Sequence, residues 1–212
     1  MIRSLSKGQK AALIVNECQV GLLEPKLSMF PALGEQAAAR NMVANIAEVV
    51  KAFRARGFPI FFTPALQRKD MADKKINSLI SAMSAKAGNL IEGTPEAAFS
   101  PGLEPEADDF VIQRGSGLIA TLGTSLDLTL RRMDVETLVV TGVSTNVAIP
   151  GITISAVEFG YHVVIPEDCI AGADPDAHKT IIEHQLRMMA TITDRQSVIA
   201  AISGADAGGK AA

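Results

Sequence analysis

The sequence predicts an α/β protein, a three-layer α/β/α sandwich around a mostly parallel sheet of about six strands. Three observations carry this. Short runs such as Ala11–Val15 (AALIV) and Thr137–Thr141 (TLVVT) are apolar or β-branched throughout rather than at alternate positions, the pattern of strands covered on both faces. Longer segments between such runs place apolar residues at helical spacing. The two patterns alternate along the chain, and that alternation builds a parallel sheet with helices on both sides.

The elements follow in order. Ala11–Val15 is the first strand. Residues 35–56 carry Met42, Val43, Ile46, Val49, Val50 and Phe53 on one helical stripe, and Gly57 follows as a stop signal. Pro59–Thr63 (PIFFT) is the next strand, and residues 70–87 are a polar, amphipathic helix. Residues 92–109, rich in Pro, Gly and acids, form a loop. Phe110–Ile112 is a short strand. Gly123–Met133 is a helix capped by Thr124 or Ser125. Thr137–Thr141 is a strand and Val147–Phe159 a helix. Tyr161–Ile165 is a strand, residues 175–190 a helix, Ala190–Thr193 a short strand and Arg195–Ile202 a last helix. Residues 1–203 thus form one domain, and the Gly/Ala-rich residues 204–212 are expected to be a disordered tail.

Composition excludes several functions. A net charge of −3 with no long basic run argues against nucleic acid or an anionic membrane surface as a partner. No run approaches the ~18 apolar residues of a membrane span. The apolar part of the N-terminus runs straight into Asn16 and Glu17, unlike a signal peptide. Cys18 and Cys169 have no disulfide or metal spacing, so reduced thiols and a cytoplasmic location are expected. No phosphate-loop or dinucleotide fingerprint is present, and no cofactor is expected. His162 sits in a strand and is expected to be semi-buried. His178 and His184, six apart, do not share a helical face as metal ligands.

In parallel sheets ligands bind beyond the carboxyl ends of the strands. Three strand ends therefore matter: Asn16–Gln19, Gln113–Gly117 and Gly142–Ala148. Around them the chain resembles the isochorismatase-like (cysteine) hydrolases, from about Ala11 to Ile202. ALIVNECQ resembles that family's first strand. VIQRGSGLIATLGTSLD is similar to the segment around its catalytic lysine, LVVTGVSTNVAI to its nucleophile loop, and GYHVVIPEDCIAG to the following strand. The four pieces occur in the family's order and spacing.

The resemblance implies an Asp–Lys–Cys catalytic set. Its positions fall on Glu17, on or beside Arg114, and on Ala148, and all three differ from the usual residue. In the usual enzymes a thiolate attacks a carbonyl or nitrile carbon, the Asp takes the thiol proton and the Lys steadies negative charge. Ala148 excludes that route. The resemblance also implies a non-proline cis peptide near Val143–Ser144, and an anion cradle of backbone N–H groups near Val147 and Ala148. Nicotinamidase-like members hold a metal through an Asp and histidines. The equivalent stretch here, VGLLEPKLSMFPALG, has neither, and no metal is expected.

Glu17 is then a candidate acid–base group, and Arg114 either binds a substrate carboxylate or pairs with Glu17. Gln19, Thr145, Asn146 and Val147 are candidate substrate contacts, against a reading of Gln19 and Asn146 as turn and cap residues. Cys18, next to Glu17, is expected to face a helix instead, and Cys169 to pack in the core. Two functions remain open: a hydrolase acting on a small carboxylate- or amide-containing substrate without a cysteine nucleophile, and an inactive ligand-binding or oligomeric scaffold. The resemblance implies a homo-oligomer, a dimer or tetramer, with the apolar stretch Leu22–Leu33 as interface or lid.

Overall fold

The computed structural model describes residues 2, 4, 5, 9–115 and 117–204. Residues 205–212, expected to be a disordered tail, lie outside the described residues. The elements run β1 (Ala11–Asn16), α1 (Val20–Leu23), α2 (Pro31–Ala39), α3 (Met42–Ala55), β2 (Ile60–Thr63), α4 (Leu79–Ala87) and β3 (Phe110–Val111). Then come α5 (Leu126–Arg132), β4 (Thr137–Val143), α6 (Ala148–Glu158), β5 (His162–Pro166), β6 (Ile170–Ala171), α7 (Pro175–His184), β7 (Thr191–Thr193) and α8 (Arg195–Ser203).

The sheet has seven strands. Six form the path β3-β2-β1-β4-β5-β7, and β6 pairs with the end of β4. Every strand pairing is parallel. Central β1 is buried along its whole length, which is why it reads as a continuous apolar run. Its side chains still divide by parity. Leu13 and Val15 join a core with Met42, Ile46, Val49 and Phe53 of α3 and Val198 of α8. Ala12 and Ile14 join a second core with Leu126 and Leu130 of α5 and Ile149 and Ile152 of α6. Two cores on two faces make the three layers. From β1 the order runs to β2 and β3 on one side and to β4 on the other, so the ends of β1 and β4 flank a switch point, where a crevice opens.

Several boundaries differ from the sequence reading. The stripe over 35–56 belongs to two helices, because Asn41 turns left-handed (φ 52°) between them. Asn and Asp tolerate that conformation better than other residues with a Cβ. The break is pinned from outside: Arg40 donates to the carbonyls of Ile170 and Glu167, and Asn45 donates to those of Arg40 and Asp168. Of residues 70–87 only the second half is helical. The helix starts at a capping box between Ser78 and Ser81. Ahead of it, Arg68 grips Asp70 with two N–H groups, Asp70 accepts from the Ala72 amide, and Met71 turns left-handed at φ 51°. The short strand β6 follows Cys169 where no strand was expected. His162, expected to be semi-buried, is exposed at the first residue of β5, where it pairs with Thr137 at the start of β4.

Candidate functional site

The site is built from the carboxyl ends of β1, β2 and β4. Gly142 brings β4 close to β1: a Cβ there would lie 2.0 Å from the Asn16 carbonyl oxygen, and its φ is 99°. Only glycine meets both demands. Asn16, fully buried, ties the three strand ends together: it donates to the Val143 carbonyl and accepts from the Thr63 hydroxyl at 2.9 Å. Val143–Ser144 is a cis peptide, as the resemblance implied. Beyond it the loop folds onto itself. The Ser144 carbonyl accepts from the amides of Val147 (3.2 Å) and Ile149 (3.1 Å), and the Thr145 amide donates to Ala171 at 2.9 Å. β6 thus anchors this loop.

Glu17 is the first residue past β1, and its left-handed backbone (φ 54°) turns the chain out of the sheet. Its amide still donates to Thr63 at 3.3 Å. Arg114 lies just past β3, held by a bond from the Leu66 amide to its own carbonyl at 3.1 Å. The two side chains meet: the Arg114 Nη2 is ion-paired with Glu17 Oε1, and Nη1 donates to the Leu118 carbonyl at 2.6 Å. The Arg114 side chain is 3% exposed and that of Glu17 16%. Burial pulls the guanidinium down to about 10, which still leaves it charged at neutral pH. Its Nε has no hydrogen-bond partner among the described residues.

The pair sits in the wall of a cavity of about 260 Å³. Leu22, Met29, Phe30 and Leu33 form an apolar side, so the stretch expected to be interface or lid walls this space. Ser144 contributes from the loop after β4, and Gln67, Lys74, Lys75 and Ser84 come from the opposite direction. Lys74 went unnoticed in the sequence because its stretch reads as a solvated helix. It donates from Nζ to Gln67 Oε1 and, at 2.7 Å, to Ser84 Oγ. Burial lowers its pKa, with Asp73 opposing.

Of the residues singled out in the sequence, the structure brings Glu17 and Arg114 together at the cavity and places the others off its wall. Ala148 is 1% exposed at the start of α6 and is not among the lining residues. Gln19 makes backbone hydrogen bonds, in keeping with the turn role weighed for it: its amide donates to the carbonyls of Ala65 and Ala97 and accepts from the Ala65 amide, which engages both ends. Thr145 is buried, and its hydroxyl pairs with His178 Nδ1 at 2.8 Å on the far side of the loop. Asn146 is exposed, and neither it nor Val147 lines the cavity. The Val147 amide, expected in an anion cradle, is instead engaged by Ser144. Both thiols are buried, and burial raises the Cys18 thiol to about 12 and the Cys169 thiol as well, so neither supplies a thiolate at neutral pH. Among the described residues no group of three or more His, Cys, Asp and Glu is placed to hold a metal, and no helix is long and apolar enough to cross a membrane.

This arrangement has relatives. The chain is 28% identical over 191 residues to the uncharacterized isochorismatase family protein YecD of Escherichia coli O157:H7, covering 90% of this chain and 95% of that one. It is 29% identical over 91 residues to the maleamate amidohydrolase of Pseudomonas putida, covering 43% of this chain and 42% of that one. In fold it matches a cysteine hydrolase from Pseudomonas syringae pv. phaseolicola at a TM-score of 0.82 and 22% identity, over 97% of this chain and 98% of that one. The isochorismatase domain model matches residues 11–197, from the first residue of β1 into α8 and so across the whole sheet that carries the site. The chain therefore belongs to the isochorismatase family of hydrolases.

Proposed function

We propose that the protein hydrolyses a small carboxylate- or amide-containing substrate with water as the nucleophile, and that Glu17 handles the proton. The observation that supports this most is the place of Glu17, at the wall of the cavity and ion-paired with Arg114, while both thiols are buried and protonated. Paired with a guanidinium at the cavity wall, the Glu17 carboxylate is held where it can take a proton from a water beside it. Hydroxide then adds to the carbonyl carbon, the carbonyl oxygen becomes an oxyanion, and the proton on Glu17 passes to the leaving amine or alcohol as the bond to it breaks. This assigns Glu17 the base's part in the first step and the acid's in the second. Arg114 orients Glu17 through the ion pair. Burial makes their mutual attraction count for more than it would in water.

A panel of small amides and esters tests the reading. Turnover of at least one member is expected, with Glu17→Gln lowering kcat by about a hundredfold or more. A rate unchanged in Glu17→Gln would falsify the role of Glu17. A second reading, a family member that binds a ligand without turning it over, is favoured by the burial of Ala148 away from the cavity. It predicts ligand binding with no hydrolysis across the same panel.

A further inference from the structure

We infer that Lys74, rather than Arg114, is the specificity-determining residue of the cavity, and that it receives the carboxylate of a small substrate whose scissile group lies at the Glu17 end. This rests on the reading of the cavity as a substrate site. Four ionisable side chains line it: Glu17, Arg114, Lys74 and Lys75. Glu17 and Arg114 neutralise each other, and a second donor of Arg114 is held by the Leu118 carbonyl. The two lysines add positive charge facing the same space, offset at Lys74 by the charge of Asp73, which is not among the lining residues.

Lys74 is the better placed of the two. Lys75 is exposed, whereas Lys74 is half-buried. Its two hydrogen-bond acceptors, Gln67 and Ser84, are both neutral, and among the described residues no carboxylate lies within ion-pair distance of its Nζ. An ammonium has three protons to donate, and two are engaged. An incoming carboxylate supplies both the third acceptor and a counter-charge in direct contact.

The ammonium is also held in place. Gln67 donates from its side chain to the Asn89 carbonyl at 2.7 Å, and its backbone exchanges bonds with Leu90 (2.8 Å) and Glu92 (2.9 Å). The preceding Asp73 packs its carboxylate against Gly115, where a Cβ would lie 2.3 Å from Asp73 Oδ2, so the segment carrying Lys74 is seated on the segment carrying Arg114. A donor fixed in advance loses little freedom on binding. The apolar side, with Leu22, Met29 and Phe30, accepts the body of the molecule between its two ends.

Binding of matched carboxylate and carboxamide probes, benzoate against benzamide and maleamate against maleic diamide, tests this by calorimetry or ligand-observed NMR. The wild type is expected to favour the carboxylate of at least one pair by about tenfold, the scale of a charge-assisted hydrogen bond. Lys74→Met is expected to abolish the preference without weakening the neutral probe, and Lys74→Arg to restore it, with circular dichroism checking each fold. A wild type with no carboxylate preference in either pair, or a Lys74→Met variant that keeps it, overturns the inference. Because the readout is binding, it separates from the hydrolytic reading. Turnover lost in Glu17→Gln while Lys74→Met keeps the preference sinks Lys74 alone. A preference lost in Lys74→Met with no turnover on any substrate sinks the hydrolase alone.

Discussion

The loop after β4 and the segments after β1, β2 and β3 leave the same end of the sheet but make two edges of the site, built on opposite principles. The β4 loop is held almost wholly by backbone. Gly142 presses against Asn16, the Ser144 carbonyl accepts two amides, and Thr145 is tied to Ala171 and His178. Its side chains carry no charge. The other edge has little regular structure yet holds the cavity's ionic groups, Glu17, Arg114 and Lys74. A backbone scaffold keeps its shape whatever small residue stands at its helix start, so Ala148 leaves it intact. Charged groups at the end of irregular segments depend on one another instead.

That contrast can be broken from either side. The largest effect is expected at Gly142. Gly142→Ala brings a Cβ to 2.0 Å from the Asn16 carbonyl at a φ of 99°, and the chain is expected to lose about 4 kcal/mol or fail to fold, as read by urea denaturation. A loss under about 1 kcal/mol would show that the β4 loop is not rigid in the way described. On the other edge, Arg114→Met leaves the Glu17 carboxylate partly buried without its partner and is expected to cost about 3 kcal/mol. The double variant Glu17→Gln/Arg114→Met recovers much of that loss, since the cost is an unpaired charge rather than lost packing. Equal losses in the single and double variants would make Arg114 a packing residue.

The smallest effect sharpens the β4 side. Burial, with help from Arg40, lowers His178 from 6.5 to about 4. Below pH 6.5 the unfolded chain takes up a proton that the folded protein refuses until about pH 4, so stability falls as pH drops through that window and levels off beneath it. The difference in unfolding free energy between pH 7.5 and 4.5 is expected to be about 2 kcal/mol larger in the wild type than in His178→Asn. Identical pH dependences would place His178 in contact with solvent.

Much of this edge was legible in the sequence, for physical reasons that differ by residue. Buried parallel strands need apolar residues on both faces, so β1, β2 and β4 stand out as short unbroken runs. Glu17 and Arg114 lie at the strand ends that such runs mark, and the resemblance to the isochorismatase-like hydrolases singled them out there. Lys74 was hidden by local pattern. A helical rhythm over residues 70–87 says nothing about Asp70 and Ser78, whose side chains bind backbone amides and confine the helix to Leu79–Ala87. Gln19 was open to two readings, ligand contact or turn residue, because its hydrogen-bond partners Ala65 and Ala97 lie far along the chain.

The sequence by itself determined the layered α/β architecture, the strand ends that face the crevice and the absence of a thiol at residue 148, because each is written in residue type and spacing along the chain. The tertiary structure alone decided that Arg114 is paired with Glu17, that Gln19 is engaged by the backbone of Ala65 and Ala97, and that Lys74 shares one cavity with Glu17. Those facts depend on groups tens of residues apart meeting in a buried space. There the cost of leaving a charge or a polar atom unpartnered decides which partner each one takes.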